Sequence, residues 1–425
     1  MVINVRSEIN RLKKVLLHRP GRELLNLTPD SLQRLLFDDV PFLRVAQAEH
    51  DAFAKILRDN GVEVVYLEDL VAETLDTSHE LKVQFLKQFI EEGGVKLEVY
   101  KKALLDFFLS YKDTKEMVLK TMEGVNMSEL NIPRHDLVSY LEDPTELILD
   151  PMPNLYFTRD PFASVQNGVI LNRMYSVTRN RETIYAYYIF HYHPEYKGKV
   201  TMFYDRTNPF HIEGGDVLNI NDETLAIGIS QRTEAPAIDL VAKNILFDEK
   251  NSHIKTILAF RIAESRAFMH LDTVFTQIDY DKFSVHPAIL GPLQVFEITR
   301  DGNDVKVVPQ EGKLEDILTR YVGRKVTLIP CGGGDRIAAE REQWNDGSNT
   351  LCIAPGTVVV YERNEVTNKL LREHGINVIE MPSAELSRGR GGPRCMSMPL
   401  VRELIKYTKE GKENKCQRIY KEEVF

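Results

Sequence analysis

Two distant stretches of the chain carry the same order of apolar and polar positions, AKILRDNGVEVVYL (Ala54 to Leu67) and NKLLREHGINVIEM (Asn368 to Met381). In each, aliphatic residues lead to a glycine, Gly61 or Gly375, and then to a second aliphatic run. That order predicts the end of an amphipathic helix, a glycine beyond its last turn and a buried strand. A pattern met twice predicts a fold built by internal repetition.

A second unit recurs as a strand hairpin. ASVQNGVILNRM turns at Asn167-Gly168, VLNINDETLAIGIS near Asn221-Asp222, VFTQIDYDKFSVHP near Asp279 to Asp281, and TLCIAPGTVVVYER at Pro355-Gly356. Polar residues stand ahead of each: Asp160, then Glu213 and Asp216, then Asp272, then Asp346 and Asn349. Similar hairpins separated by helices predict blades about an axis, with these leading residues converging near its centre.

Between about Ser78 and Leu149 the texture is helical. HELKVQFLKQFI puts Leu81, Phe85, Leu86, Phe89 and Ile90 on one face, and KLEVYKKALLDFFLSYKD, Met117 to Met122 and Leu137 to Leu141 continue in the same style. An all-helical insertion of four or five helices is expected, its apolar stripes forming bundle core.

Composition narrows the partners. At 425 residues some subdivision of the core is expected. With 54 basic and 63 acidic residues the net charge is −9, which argues against general affinity for nucleic acid or an anionic membrane. MVINVRSEINRLKKVLLHRP lacks an apolar signal-peptide core, and no run approaches about 18 apolar residues, so a cytoplasmic protein is expected. Cys331, Cys352, Cys395 and Cys416 form no CxxC pair, which predicts free thiols and no zinc knuckle.

The chemistry gathers in four motifs. RGRGGPRCMSMP (Arg388 to Pro399) sets Arg388, Arg390 and Arg394 around Cys395, where positive charge would lower a thiol pKa and the glycines would let the backbone bend and approach a ligand. LYFTRDPF carries Asp160, FHIEGGDVL carries Glu213, and MHLDTVF sets His270 and Asp272 two apart, on one face if extended. Each has an ordinary structural reading: a buried cysteine, an Asp-Pro turn, a solvated bend, a core histidine with a capping aspartate. Together they offer a thiol, a histidine and three carboxylates. Carboxylates grip a planar guanidinium in bidentate fashion, a thiolate attacks its carbon, and a histidine protonates the departing amine. CGGGD (Cys331 to Asp335) raises a phosphate-binding module instead, but lacks the Lys-Ser/Thr of a P-loop.

In that order, LYFTRDPF, FHIEGGDVL, HLDTVFTQID and RGRGGPRCMSMP resemble the arginine deiminase family, with LLFDDVPFL (Leu35 to Leu43) extending the similarity to nearly the whole chain. The resemblance implies an α/β fold, the five-bladed ββαβ propeller (pentein) of guanidino-modifying enzymes, over residues 1–75 and 150–425, with 76–149 as the helical insertion. It implies hydrolysis of free L-arginine to L-citrulline and ammonia without metal or organic cofactor. Carried over by position, it makes Cys395 the nucleophile, His270 the general acid then base, Glu213 its orienting partner, and Asp160 and Asp272 the guanidinium grip. Asn154, Arg179, Arg232 and Arg390 would hold the amino-acid end. Arg394 stands where a histidine would also suit, which bears on the Cys395 pKa. Asp160 and Asp272 should raise that pKa in the empty site, so substrate cation should help to ionise the thiol. The resemblance also implies a homodimer or higher homo-oligomer. Agmatine deiminase, methylarginine hydrolase and amidinotransferase share the nucleophile logic; the helical insertion and the three arginines favour free arginine.

Overall fold

In the computed structural model, which describes residues 2–130, 132, 146–263, 268–291 and 293–404, five three-stranded units share one wiring. An antiparallel pair is followed by a helix and then by a strand that lies parallel to the middle one. Parallel neighbours require such a crossover. Four units take their three strands in sequence order. They are Phe162–Val165, Gly168–Leu171 and Thr201–Tyr204; Val217–Asn221, Thr224–Ile229 and Thr256–Arg261; Phe275–Gln277, Lys282–Val285 and Thr327–Pro330; and Leu351–Ala354, Thr357–Tyr361 and Asn377–Met381.

The fifth unit joins the chain ends: Met398–Arg402 runs antiparallel to Leu12–Leu17, which runs parallel to Glu63–Tyr66. An additional hairpin, Gln294–Asp301 with Asp304–Gln310, extends the second unit through antiparallel pairing with Thr256–Arg261.

The duplicated pattern forms as its residues dictate. Helices Leu43–Asp59 and Glu365–Glu373 end just before Gly61 and Gly375, whose φ values of 77° and 80° suit glycine. The strands that follow are only half buried, contrary to the expectation of buried strands. Each is the outer strand of its unit, with no sheet neighbour beyond it. The hairpin expected to turn at Asn167-Gly168 turns at Gln166 and Asn167 instead, with Gln166 at φ 53°. Gly168 is needed because a β-carbon there would meet the Thr201 carbonyl oxygen at 2.4 Å.

Within 76–149 the described helices are His79–Glu92, Glu98–Leu109 and Thr114–Glu123. Ser78 and Asp113 cap the first and third by accepting from Leu81 N and Glu116 N. The helix expected at Leu137 to Leu141 lies outside the described residues, as does Cys416. Leu81, Phe85, Leu86, Phe89 and Ile90 are all buried in a core shared with the helix Thr183–Tyr192, where Phe85 meets Tyr188 edge-on at 5.1 Å. A short strand, Val125–Asn126, pairs with Leu147–Leu149. Among the described residues no helix is long and apolar enough to cross a membrane.

Candidate active site

Each unit places a polar residue just before its first strand, and five of these meet. Asp160 precedes Phe162–Val165, Glu213 precedes Val217–Asn221, Asp272 precedes Phe275–Gln277, Asn349 precedes Leu351–Ala354, and Cys395 precedes Met398–Arg402. All are buried, with Glu213 and Asp272 completely so. His270 enters with Asp272, opening the short 3-10 turn Leu271–Thr273.

Three contacts define the centre. The Cys395 thiol donates toward Asp272 Oδ2 at 3.7 Å. His270 Nε2 donates to Glu213 Oε2 at 2.8 Å, which turns Nδ1 toward Asp160 Oδ1, 3.8 Å away and too far for a hydrogen bond. Asn349 bridges Cys395 and Asp272: its Oδ1 accepts from Cys395 N at 3.0 Å while its Nδ2 donates to the Asp272 carbonyl at 3.1 Å.

The glycine pair of FHIEGGDVL is required by space. A β-carbon on Gly214 would lie 2.0 Å from the Arg159 carbonyl oxygen, and one on Gly215 would lie 2.6 Å from His270 Cγ. The backbone carrying Glu213 can therefore press against both the Asp160 segment and the imidazole.

Asp160 and Asp272 each spend one oxygen on a resident arginine. Arg179 Nη1 donates to Asp160 Oδ2 at 3.0 Å, and Arg394 Nη1 donates to Asp272 Oδ2 at 2.6 Å. The other oxygen of each, Asp160 Oδ1 and Asp272 Oδ1, is buried with no hydrogen-bond partner among the described residues. Two buried acceptors of this kind are costly unless a donor arrives.

The charges sort the proton holders. Burial would lower the His270 pKa, yet the Asp160 charge and the hydrogen bond to Glu213 outweigh it and raise it to about 9. Burial opposes ionisation of Glu213, but Arg232 at 3.5 Å, His270 and Arg179 at 4.0 Å hold it far below the usual carboxylate range. Burial first, and then the charges of Asp272, Asp160 and Asp346, push the Cys395 thiol well up, with Arg394 opposing.

That result overturns the expectation of a flexible cationic loop that lowers the thiol pKa. Cys395 is only 4% exposed. Arg388 turns to Asp39 and Glu385, and Arg394 is committed to Glu8 and Asp272. Gly391 and Gly392 make room for Phe157 and Asn349, and the one residue of Arg388 to Cys395 with positive φ is Arg390, at 61°. The expectation that Asp160 and Asp272 raise the thiol pKa in the empty site agrees with the charges.

The residues expected at the amino-acid end differ among themselves. Arg179 gives Nε and Nη2 to Glu182 and Nη1 to Asp160, so in this structure it orients Asp160. Asn154 Nδ2 donates to the Leu35 carbonyl at 2.7 Å. Arg232 and Arg390 are the open ones: each buries Nε and Nη1 without a hydrogen-bond partner.

Asp216, one of the leading residues, accepts from Ser230, Thr233 and Leu271 N and serves the local fold. Asp346 is buried with Oδ2 unpartnered, and burial, against Arg390, raises it to about 7. Sequence reasoning missed Glu8, which accepts from Arg394 Nε at 3.0 Å and from Asn219 N at 3.0 Å. It lies in no motif and meets its partner across 386 positions.

Ligand atoms of Asp160, Glu213 and His270 lie within 4.8 Å of one another, a spacing that suits a metal ion. The guanidinium groups of Arg179 and Arg232 already supply two positive charges to these carboxylates, so a dication would meet strong repulsion.

A family model described as arginine deiminase matches residues 33–402. The arginine deiminase of Treponema denticola is 63% identical over 409 residues, covering 95% of this chain and 100% of that protein. The arginine deiminase of Clostridium perfringens is 57% identical, covering 94% and 98%. Among solved structures, SxtG, an amidinotransferase from Microseira wollei, has a TM-score of 0.52 at 15% identity and covers 96% of this chain and 100% of that one. Unliganded AgrE has a TM-score of 0.52 at 14% identity, covering 93% of this chain and 40% of its own.

Proposed function

The chain belongs to the arginine deiminase family, and we propose that it hydrolyses free L-arginine to L-citrulline and ammonia through a covalent intermediate on Cys395. The overall reaction is that of the family. The roles of individual side chains are our reading of the site.

The observation that carries this reading is the pair of buried, unpartnered oxygens, Asp160 Oδ1 and Asp272 Oδ1, beside a thiol and a protonated imidazole. A guanidinium offers several N–H donors on one plane and would satisfy both. Its positive charge would also offset the carboxylates that hold the thiol neutral, favouring thiolate once substrate is bound.

The thiolate then adds to the guanidinium carbon. The C–N bond to one terminal nitrogen breaks as His270 gives its proton to that nitrogen, which leaves as ammonia. The product is an amidino-thioether of Cys395. Water gives a proton to the now neutral His270 and adds to the same carbon; the C–S bond then breaks to return the thiolate, and the added hydroxyl loses its proton to solvent as the ureido group of citrulline forms. Glu213 holds His270 in place through Nε2 and stabilises its charged form. Arg232 and Arg390, with their open N–H edges, would take the α-carboxylate, assisted by Asn154. Arg179 acts on Asp160.

An α-carboxylate site of this kind favours arginine over agmatine, which has none. We read the five units as blades of a pentein propeller and residues 76–149 as a helical insertion within it. The same reading makes the protein a cytoplasmic homodimer or higher homo-oligomer, which light scattering on the purified protein would test as to subunit number.

Rapid acid quench during turnover of arginine, followed by mass spectrometry, tests the chemistry. The expected product is an adduct of arginine less ammonia on the peptide containing Cys395. An adduct on another residue, or saturating turnover with none, would refute the proposed nucleophile.

A further inference from the structure

Arg390 sits in the left-handed region at φ 61°, a strained conformation for a residue with a β-carbon, of the kind that gathers at ligand clamps. Its guanidinium carbon lies 3.6 Å from the centre of the Trp344 ring. Trp344 ends the helix Arg336–Trp344 and is the single tryptophan of the chain. It is 55% exposed, whereas the Arg390 side chain is 5% exposed.

Asp38 Oδ2 stands 3.8 Å from Arg390 Nη1, which is ion-pair range without a hydrogen bond. Arg390 Nε and Nη1 have no hydrogen-bond partner. A buried arginine is usually stabilised by carboxylates that consume its N–H edge. An aromatic face acts on the plane of the cation and leaves the edge available. That difference is what a binding arginine needs: support that does not compete with the ligand.

We propose that Trp344 is a positioning residue for the amino-acid end of the substrate, its indole face holding Arg390 so that the open N–H edge meets the α-carboxylate of arginine. The inference rests on the role given to Arg390 above. Trp344 touches no reacting atom, so its contribution falls on substrate binding and hardly on the chemical step. A residue that merely supported the helix would not produce that split.

Steady-state kinetics with L-arginine on Trp344→Phe, Trp344→Leu and Arg390→Ala test the proposal. A desolvated cation–aromatic contact corresponds to a factor of roughly 5 to 30 in binding. Trp344→Leu should raise KM by that factor with kcat within about threefold of the parent, and Trp344→Phe, which keeps an aromatic face, should recover most of the loss. Tryptophan emission of Cys395→Ser should shift when arginine binds, since its only indole reports on Arg390, and the shift should vanish in Cys395→Ser with Arg390→Ala.

An unchanged KM in Trp344→Leu overturns the proposal, as does an equal rise in the Phe and Leu variants. So does emission that does not move while calorimetry shows arginine bound to Cys395→Ser. If Arg390→Ala itself leaves KM unchanged, it is the reading of Arg390 that fails. Thermal melting of Trp344→Leu is a control for folding; should it melt early, the Phe variant and the emission decide.

Discussion

Replacing Glu213 by glutamine keeps the shape of the side chain and removes its charge. In the parent, His270 Nε2 is 2.8 Å from Glu213 Oε2, and the imidazolium persists up to a pKa of about 9. A hydrogen bond to a charged partner exceeds one to a neutral partner by about 1–2 kcal/mol. The variant also leaves Arg232 and Arg179, now 3.5 and 4.0 Å from Glu213 Oε2, facing His270 with less compensating charge, which adds a comparable amount at the dielectric suited to protein sites. A total of about 2–4 kcal/mol corresponds to about 1.5–3 pKa units, placing His270 near 6–7.5. A histidine with a raised pKa is charged below it, so proton donation to the leaving nitrogen fails as pH climbs through that value. The alkaline limb of kcat/KM should therefore move from about pH 9 down toward neutrality, and an NMR titration of labelled His270 should move with it. A limb that stays within about half a unit of the parent, in a variant that folds normally, would refute the role given to Glu213.

The thiol offers a second test: ultraviolet thiolate titration should show a lower Cys395 pKa with a non-reactive guanidino ligand than without, and an unchanged value would contradict substrate-assisted ionisation. Gly215→Ala, whose β-carbon would press on His270 Cγ at 2.6 Å, should lose about a hundredfold in kcat because displacement of a catalytic group by roughly an ångström costs that much; near-parent activity would show that the ring has room. His18, buried between Glu68 at 2.8 Å and Glu23 at 3.1 Å, resists charging through burial but is raised to about 10 by those carboxylates. Its contribution to stability is complete below about pH 6.5 and is lost as pH rises through 10. His18→Gln should therefore lower the melting temperature strongly at pH 6 and far less at pH 10.5; a pH-independent loss would rule out this linkage.

What the sequence revealed depended on how locally the information was stored. The four hairpins and the duplicated helix, glycine and strand were legible because each is written within a few turns of chain. The fifth unit was not, since Leu12–Leu17 and Met398–Arg402 pair from opposite ends. Asp160, Glu213 and Asp272 could be picked out by their shared place ahead of strands. The electrostatic effect of the cysteine loop could not, because neighbours in sequence are not neighbours in space. Arg388 looks outward to Asp39, while Asp160 and Asp272, remote in sequence, face the sulfur. The ion pair of Arg179 with Glu182, three positions on, is written in no motif either.

The strand that completes the fifth unit, Met398–Arg402, begins just after Cys395 and cannot pair with Leu12–Leu17 until it has been synthesised. In order of synthesis Cys395 follows Asp160, Glu213, His270, Asp272 and Asn349. A fragment ending before Cys395 lacks the proposed nucleophile, and one ending before Met398 lacks the strand that anchors it. Seating of the thiol segment and pairing of Met398–Arg402 with Leu12–Leu17 are therefore carried by one stretch of chain.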